Sequence, residues 1–441
     1  MSINRHLTDF FETEIREYSV GTCIRAIPSG VDGMVPSQRK ALYGMMKLYP
    51  TQEVKVSIGS ASLMAASCFH HGSLEGVISN MARDYPGTNN MPLLEGIGQL
   101  GSRLSPDVAA ARYVFVKLPS IIKSIFHSSD DPILERMEDD GEVVEPKFYL
   151  PILPMILVNG SDGMGMGYAS KIFGYSPKQI HDHIIAILDG KEPKSPLVPW
   201  FRGYTGTVEK VGSQTVVTGC IEVVDSVTLK ITELPIGQYT IKYREVLNAL
   251  EDSGIIKRYS DNSTGDKTEF VIKTTRETAA KDQEWLLKTF KLVGRDTENF
   301  TVWDEKNKIR KFVSADELLQ WFVSYRLSRY DDRKNHILSE LTKELTEHQE
   351  TKRFILYYRK HGKDWNDTPM KDIESDLRFS GFVDVNRLLS IRLSRLTLDA
   401  ITELDKKIID TTSEKTRIEA LSSIDMYKAD LKSIKSVVSS L

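Results

Sequence analysis

The sequence predicts an α+β protein with several domains, because three kinds of residue pattern follow one another along the chain. Short helical patterns interrupted by glycines occupy residues 1–145. Alternating strand patterns mixed with helices follow in residues 146–310, and long helical repeats occupy residues 311–441. A length of 441 residues is compatible with about three domains, so each pattern is assigned a domain of its own.

The first domain has the element order of a helix-turn-helix module. The stretch after Pro36 places apolar residues on one helix face, with the proline in the first turn, where a missing N–H breaks no hydrogen bond. Two further helical patterns, at residues 53–69 and 73–85, are separated by His-His-Gly. A helix, a short glycine break and a second helix are typical of this module. The apolar face of the first helix consists of Leu42, Met45, Met46 and Tyr49.

The charge of the first domain is compatible with nucleic-acid binding, although the whole chain has a net charge of -3. Residues 18–123 contain ten lysines and arginines but only six aspartates and glutamates. This local excess of positive charge modestly favours a polyanionic partner.

The second domain is predicted to mix strands and helices. In "SVTLKITEL" apolar and polar residues alternate, which indicates a half-buried strand because successive side chains of a strand lie on opposite faces. The preceding "QTVVTGCIEVV" also has a strand pattern. The positions predicted to share the buried face are Val227, Leu229 and Ile231.

The third domain is predicted to contain two antiparallel helical arms with a small cap between them, at residues 361–382. Apolar residues recur at intervals of three and four in both arms, although two helices of a bundle would show nearly the same pattern. Because these seams are weak, we expect the arms to pair within one chain. The apolar residues at 388–396 exceed what so short a cap could bury, so we expect them to contact a second copy of the chain. The seam positions are Leu338, Leu341, Leu345 and His348, and Ile401, Leu404, Ile408, Thr411, Lys415 and Ile418.

Several functional classes are excluded by what the sequence lacks. The polar N-terminus is no signal peptide and no apolar run reaches the roughly 20 residues that cross a bilayer, so we expect a cytoplasmic protein without a membrane partner. Cys23, Cys68 and Cys220 have neither zinc nor disulfide spacing. The glycine-rich residues 159–170 lack the spacing of a dinucleotide site and the Lys-Ser/Thr of a P-loop, so we expect this chain to bind no ATP. No carboxylate set follows a strand, so no metal ligand is assigned.

The pair Arg112–Tyr113 stands where a strand pattern begins, after small alanines and before apolar residues. By residue pattern alone, an edge strand in which Tyr113, Phe115 and Lys117 share one face explains the pair. A chemical role for the pair can be judged only together with the other segments of the chain.

Five segments together resemble the breakage-reunion region of type IIA DNA topoisomerases. They occur in the order of that family, at similar distances, and the likeness covers nearly the whole chain. The first four are more similar to eukaryotic members than to the gyrase A subunit. The segments are residues 24–45 ("IRAIPSGVDGMVPSQRKALYGM"), 53–73 (ending in "HHGS"), 89–118 (with "AARYVF"), 148–172 (with "NGSDGMGMGYAS") and 388–397 ("LLSIRLSRLT").

The resemblance implies a fold for each of the three domains. Residues 1–145 would form a winged-helix domain that carries the cleavage chemistry. Residues 146–310 would form a mixed α/β tower domain. Residues 311–441 would form antiparallel coiled-coil arms with a helical C-terminal dimer gate.

The resemblance also implies that Tyr113 is the nucleophile of DNA cleavage. Its phenolic oxygen would attack a DNA phosphorus and form a 5′-phosphotyrosyl bond, leaving a free 3′-hydroxyl, so that resealing needs no external fuel. Two subunits would cut opposite strands and let a second duplex pass through the break. Arg112 would stabilise negative charge on the phosphoryl oxygens. Arg25 would be a second phosphate clamp, and His71 would hydrogen-bond the scissile phosphate.

Further DNA contacts are implied outside the nucleophile. Arg39 and Lys40 would contact phosphates, and His70 would position the backbone. Met164 stands where eukaryotic members have an isoleucine that wedges between base pairs, and methionine is apolar and flexible enough to do the same. A core methionine in a glycine turn is the alternative. Val35 replaces a lysine of the family pattern, so one expected basic contact is missing.

Partners are implied by the functions that this chain lacks. The family holds Mg²⁺ in a Toprim domain and ATP in an ATPase domain, and eukaryotic members carry both upstream in one polypeptide. This chain starts almost at the winged-helix domain. Such a division of the family's domains between chains resembles the medium subunit of T-even-like bacteriophage topoisomerases. We therefore expect a homodimer bound to double-stranded DNA and to an ATPase/Toprim large subunit. The resulting heterotetramer would lie in the host cytoplasm if the source is viral.

Two other functional classes remain open. A non-catalytic DNA-binding scaffold could keep this fold, although the intact Arg112–Tyr113 pair with Arg25 and His71 argues against it. A tyrosine recombinase also forms a phosphotyrosyl bond, but it would link DNA at a 3′-phosphate and have its tyrosine near the C-terminus. The DNA end that becomes linked to protein distinguishes these classes.

Overall fold

The structure is a computed structural model that describes residues 7–69, 72–139, 141–362, 364–392 and 395–441. The chain forms two compact units, Met1–Arg326 with Lys428–Leu441, and Leu327–Tyr427. This division differs from the predicted domains. Residues 145 and 310 both lie inside the first unit, which ends at Arg326 and also includes the C-terminal residues.

The first unit begins with helices and a small sheet. The elements are α1 (Leu7–Phe10), a π-helical turn (Phe11–Ile15), α2 (Arg16–Ala26), α3 (Pro36–Leu48), β1 (Val54–Lys55), α4 (Val56–Ala66), α5 (Glu75–Met81), β2 (Glu95–Ile97) and β3 (Phe115–Lys117). Pro36 starts α3, as expected, and the Gln38 side chain accepts a hydrogen bond from the Val35 N–H at 3.0 Å. This bond satisfies a donor that the helix itself leaves unpaired.

Strand β3 is the centre of this sheet, whose order is β1-β3-β2 with antiparallel pairing. Val116 pairs with Val54 on one side and with Gly96 on the other. The predicted edge strand is therefore wrong. Tyr113 precedes β3, in the turn that leads into it.

The chain then forms two antiparallel hairpins and three short helical segments, still within the first unit. In order they are α6 (Ile122–Ile125), a 3₁₀ helix (Ser128–Ile133), β4 (Arg136–Asp139), β5 (Glu142–Pro146), α7 (Met155–Asn159), β6 (Ser161–Met164) and β7 (Ala169–Ile172). The hairpin of β6 and β7 contains the glycine-rich residues that the sequence singled out. It is followed by α8 (Pro177–Leu188), which the Ser176 side chain caps by accepting from the Gln179 N–H at 3.4 Å.

The following residues form three sheets, as the mixed α/β pattern predicted. The elements are β8 (Thr207–Val211), β9 (Gln214–Thr218), β10 (Cys220–Asp225), β11 (Thr228–Glu233), α9 (Thr240–Asp252), β12 (Ile256–Asp261), β13 (Phe270–Thr274), α10 (Arg276–Ala279), α11 (Gln283–Thr289), β14 (Val293–Thr297), β15 (Phe300–Trp303) and β16 (Ile309–Phe312). Their strand orders are β10-β11-β13-β12, β14-β9-β8 and β15-β16. Leu229 and Ile231 of β11 are buried in a common core with α9 and α11, as predicted. Val227 precedes the strand and is only half-buried, whereas Thr228, predicted on the other face, is buried, so the alternation is confirmed only in part.

The rest of the chain is helical. It contains α12 (Ala315–His361), a 3₁₀ turn (Asp364–Asp367), α13 (Met370–Phe379), α14 (Val385–Leu389), α15 (Leu398–Ala420) and α16 (Ser423–Ser440). The end of α16 belongs to the first unit, where the Lys428 ammonium lies 2.6 Å from the Asp189 carboxylate. No helix among the described residues is both long and apolar enough to span a bilayer.

Helices α12 and α15 are antiparallel, as predicted. The Lys334 ammonium donates to the carbonyl of Leu421 at 2.6 Å, and the Lys352 ammonium lies 2.5 Å from the carboxylate of Asp405. Residue numbers therefore increase along α12 in the direction in which they decrease along α15. All predicted seam positions are buried or half-buried within this single chain.

The cap has a core of its own, which corrects the expectation that residues 388–396 supply a surplus of apolar surface. Leu388 is buried in that core, and Ile391 and Leu396 pack against it; Leu393 lies outside the described residues. The core residues are Phe354, Ile373, Leu377, Phe382, Val385 and Leu388.

The apolar side chains that the cap leaves in solvent are different ones. Phe379 is 94% exposed and Val383 is 90% exposed. These two residues are the most exposed apolar side chains among the described residues of the cap, and the sequence pattern did not single them out.

Candidate active site around Tyr113

Tyr113 lies on an exposed turn with Arg112 directly over its ring. Its N–H donates to the Ala110 carbonyl at 2.8 Å, which closes the turn, and its side chain is 66% exposed. The guanidinium carbon of Arg112 is 4.8 Å from the ring centroid, within the range of a cation–π contact. A large ligand can therefore reach the phenolic oxygen and the guanidinium together.

Helix α4 holds the turn in place through backbone hydrogen bonds. The N–H groups of Val56 and Ser57, the first two residues of α4, donate to the carbonyls of Val114 at 3.0 Å and Ala111 at 3.2 Å. Such first-turn N–H groups have no partner inside their own helix, so they are strong donors for a neighbouring loop. Val114, which directly follows Tyr113, is buried. The Tyr113 backbone is thus held firmly while its side chain stays accessible.

The other predicted catalytic residues are less completely defined. Arg25 is exposed in the last turn of α2, and within the described part of the chain it has no carboxylate partner and no bond to Arg112 or Tyr113. His70 and His71 lie outside the described residues.

Arg39, a predicted DNA contact, is engaged in an ion pair within the fold. It is 6% exposed, and its Nε and Nη2 donate to the two oxygens of Asp32 at 2.7 and 3.1 Å. Nη2 also donates to the Met34 carbonyl at 3.0 Å. Asp32 in turn accepts from the Tyr149 N–H at 3.0 Å. These bonds give Arg39 a structural role, because leaving Asp32 buried without its partner would be strongly unfavourable, and the phosphate contact stays a prediction.

Lys40 is similarly occupied. Its ammonium donates to the Ser67 carbonyl at 2.6 Å and lies 3.0 Å from the Glu145 carboxylate. The Lys40 side chain is largely buried and joins α3 to the end of α4 and to β5. Its predicted phosphate contact, like that of Arg39, stays a prediction.

Met164 is the most exposed methionine of the hairpin formed by β6 and β7, with 83% of its side chain in solvent. The reading of this residue as a core methionine is wrong. A Cβ atom on Gly163 would come within 2.0 Å of the Ala26 carbonyl oxygen, so the hairpin packs on α2 more closely than any other residue would allow. An exposed apolar side chain thus projects from a rigid support.

The opposite side of this hairpin is held by residues that the sequence analysis missed. The Asn299 side-chain amide donates to the Ala169 carbonyl at 2.7 Å, and its backbone pairs with Lys171 at 2.7 and 3.0 Å. The Glu298 carboxylate accepts from the Phe173 N–H at 3.1 Å, and burial raises its pKa. Their positions are remote from the hairpin in sequence, so no local pattern indicates this role.

The described residues near Tyr113 contain no metal centre. In this part of the chain, no three histidine, cysteine, aspartate or glutamate side chains cluster closely enough to hold a metal ion. No magnesium site is therefore assigned to the described side chains around the turn.

Solved structures define the class of protein to which this fold belongs. The chain superimposes on the Plasmodium falciparum topoisomerase II DNA-binding, cleavage and re-ligation domain with a TM-score of 0.87 and 32% identity. The superposition covers 98% of this chain and 64% of the other. The fold is thus that of the type II topoisomerase cleavage region.

Sequence comparisons narrow the class to a family. The chain is 34% identical to the mitochondrial DNA topoisomerase 2 of Dictyostelium discoideum over 448 residues, and 37% identical to the DNA topoisomerase 2 of Arabidopsis thaliana over 398 residues. It covers 35% and 27% of these relatives, respectively, so it spans about a third of their length. The family model for the DNA gyrase/topoisomerase IV A subunit matches residues 25–432, and the chain belongs to that family.

Proposed function

We propose that this chain is the DNA breakage-reunion part of an ATP-dependent type IIA topoisomerase. The observation that carries the proposal is the exposed Arg112–Tyr113 pair on a braced turn, within a fold that superimposes on a DNA cleavage and re-ligation domain. In the proposed assignment, helices α3 to α5 and the sheet β1-β3-β2 form the winged-helix domain. The sheets between β8 and β14 form the tower, and α12 and α15 form the arms.

The proposed reaction is a reversible transesterification. The Tyr113 oxygen attacks a backbone phosphorus and loses its proton, a new oxygen–phosphorus bond forms, and the bond to the 3′-oxygen breaks. The 3′-oxygen takes up a proton, which leaves a 5′-phosphotyrosyl link and a 3′-hydroxyl. One phosphodiester replaces another, so attack by the 3′-hydroxyl reseals the strand without external energy.

Arg112 is proposed to act on the charge that develops during this exchange. Its guanidinium lies beside the nucleophile and is exposed, so it can approach phosphoryl oxygens while its position over the ring is maintained. Donors placed where charge develops lower the transition-state energy more than the ground-state energy. Arg25 and His71 are proposed as further phosphate ligands, and His70 as a residue that positions the DNA backbone.

The metal ion and the nucleotide are proposed to come from outside this chain. Mg²⁺ bound by a Toprim domain would supply Lewis-acid assistance at the scissile phosphate, and ATP would bind an ATPase domain. We propose that both domains belong to a large subunit, as in the T-even-like bacteriophage enzymes that the sequence resembles. The holoenzyme would then be a heterotetramer that passes one duplex through another in the cytoplasm, which is that of the host cell if the source is viral.

Met164 is proposed to wedge between base pairs and bend the DNA. The support for this role is the combination of an exposed apolar side chain and a hairpin held closely on both sides. Inserting such a wedge unstacks one step, and the bend that results brings more DNA into contact with protein.

The cap is proposed to form a twofold contact with a second copy of the chain. Phe379 and Val383 are almost completely exposed apolar residues on a cap that already has its own core. A self-complementary contact through them would close the exit gate for the transported duplex.

The proposal is tested by Tyr113→Phe, which removes one oxygen from an exposed side chain and should leave the fold intact. With magnesium and the Toprim-bearing partner present, the variant should form no covalent DNA complex after denaturation, while its DNA affinity is kept. Wild-type chain should link to the 5′ end of the cut strand. Covalent DNA at wild-type levels in the variant would refute the role of Tyr113. Linkage to a 3′ end would indicate a recombinase-type reaction, and a wild-type chain that binds DNA but never cleaves it would indicate a scaffold.

A further inference from the structure

The loop of residues 98–114, which connects β2 to β3 and ends in the Tyr113 turn, is held at two points by two different helices. The bracing of its last residues by α4 is described above. Its earlier part is held by α9, whose first two N–H groups, of Thr240 and Ile241, donate to the carbonyls of Arg103 at 3.1 Å and Leu104 at 3.3 Å. In both places, helix N-terminal donors that have no partner inside the helix are satisfied by loop carbonyls.

The side chain of Arg103 reinforces the contact with α9. Its Nη2 lies 2.5 Å from Oε1 of Glu233 and donates to the Leu234 carbonyl at 2.7 Å. Both charged side chains are nearly buried, with 4% and 7% exposed. A buried ion pair tolerates little displacement, because separating its members leaves charge in a medium that solvates it poorly.

Glu233 is itself fixed to the surrounding fold. It is the last residue of β11, in the interior of the four-stranded sheet. Its second oxygen accepts from the Thr205 hydroxyl at 3.1 Å and from the Thr205 N–H at 3.3 Å. Arg103 therefore attaches the loop to a rigid part of the sheet rather than to a mobile side chain.

Between the two attachments, the loop makes few bonds that could fix its position independently. The Ala109 N–H donates to the Gln99 carbonyl at 3.0 Å, and Arg83 donates to the Pro106 carbonyl at 3.0 Å. Arg103 precedes Tyr113 by ten residues. A displacement of Arg103 can therefore be passed to Tyr113 through the residues between them, because few bonds hold these residues in place independently.

We propose that the Arg103–Glu233 pair positions Tyr113 for DNA cleavage by setting the loop of residues 98–114 relative to the four-stranded sheet. The pair makes the orientation of the nucleophile depend on the sheet, although neither residue contacts Tyr113. Catalysis that requires in-line attack is sensitive to displacements of about 1 Å, which can reduce the rate on the order of a hundredfold. This inference rests on the proposed function of Tyr113.

The test compares Arg103→Ala, Arg103→Lys and Glu233→Gln with Thr205→Val as the matched control. Thr205→Val removes a bond to the same carboxylate but leaves the bond between Arg103 and Glu233 in place. Single-turnover covalent-complex formation at saturating DNA is measured with magnesium and the Toprim-bearing partner, together with DNA affinity. Hydrogen exchange of residues 105–114 is measured in the full chain without DNA or partner.

We expect Arg103→Ala to cleave roughly ten- to a hundredfold more slowly, with DNA affinity within about twofold of wild type. Its amides at 105–114 should exchange faster, Arg103→Lys should recover part of both effects, and Thr205→Val should change neither. A folded Arg103→Ala chain with wild-type cleavage and exchange would overturn the proposal. If Arg103→Ala does not fold, Arg103→Lys and Glu233→Gln decide the matter by the same criteria.

The two proposals can fail separately. If wild-type chain forms no covalent complex, the function assigned to Tyr113 fails, whereas the exchange measurement still reports whether Arg103 restrains the loop. If wild type cleaves but the Arg103 and Glu233 variants cleave equally fast, only the positioning role fails. Loss of DNA affinity without loss of rate would also refute that role.

Discussion

The Tyr113 turn and the start of α3 both carry basic residues that the family resemblance assigns to DNA, but the two regions use them differently. Arg112 lies in solvent over the Tyr113 ring, whereas Arg39 is buried in a two-bond ion pair with Asp32. Lys40 is likewise taken up by Glu145. Basic residues that are close in a sequence motif therefore differ in exposure, because some of them lie next to buried carboxylates of their own fold.

The cap shows the same contrast with apolar side chains. Leu388 and Ile391, which the sequence suggested for contact between chains, are used by the core of the cap. Phe379 and Val383 lie outside that core and are exposed. In both regions, membership in a motif does not decide whether a side chain faces the fold or a partner.

The largest expected effect is on assembly. Replacing residues 332–422 with a short flexible linker removes the cap and most of both arms while keeping the end of α16 for the first unit. A short linker is enough because the two cut ends lie close together. The rings of Tyr330 and Tyr427 stack with their centroids 4.8 Å apart, and the Ser423 hydroxyl donates to Asp331. The deleted chain should be monomeric by light scattering and should still bind duplex DNA, whereas the intact chain should be a dimer.

A finer variant tests which side chains of the cap matter. Phe379→Glu combined with Val383→Glu places charge on the exposed apolar pair and should also give monomers. A deletion variant that remains a tight dimer would place the principal contact in the first unit and contradict the gate.

The second effect separates Arg39 from a DNA-binding role. Arg39→Ala leaves Asp32 buried without its cation and should lower the free energy of unfolding by about 3 to 5 kcal/mol in urea titrations. Arg25→Ala, at an exposed position, is the control and should change stability by less than about 0.5 kcal/mol. Unchanged stability for Arg39→Ala, with a shallower salt dependence of DNA binding, would restore the phosphate contact.

The third effect concerns chemistry rather than stability. Arg112→Ala should slow DNA cleavage at least roughly a hundredfold, the usual cost of losing one transition-state donor, with nearly unchanged DNA affinity and thermal stability. Single-turnover trapping of the covalent complex measures the rate. A variant that loses affinity but keeps its rate would make Arg112 a residue that only binds DNA.

The smallest expected effect is on DNA shape. Met164→Ala should reduce bending, seen by fluorescence energy transfer as a longer end-to-end distance, and shift cleavage-site preference, because the ease of deforming a base step contributes to binding energy. Met137→Ala, at an exposed methionine of the separate β4–β5 hairpin, is the matched control and should change neither quantity. Equal DNA bending by both variants and by wild type would contradict the proposed wedge role of Met164.

Residue patterns anticipated the parts of this fold that depend on local periodicity. The alternation around Leu229 and Ile231 became β11, and the intervals of three and four became the antiparallel pair of α12 and α15. The edge strand failed because local alternation does not specify how many neighbours a strand has. Nothing near Tyr113 in sequence indicates that β3, the strand that follows it, is paired on both sides.

The sequence by itself determined that Arg112 and Tyr113 are adjacent and that Met164 stands among glycines, because these features depend on residue identity and spacing. Its five segments also carried the family resemblance. Tertiary structure alone decided that Tyr113 is exposed on a turn braced by α4, that Arg39 is buried on Asp32 and that Arg103 meets Glu233 across 130 residues. Burial and charge pairing depend on which distant carboxylates and helix ends the fold brings together. Long-range proximity of that kind leaves no local pattern in the chain.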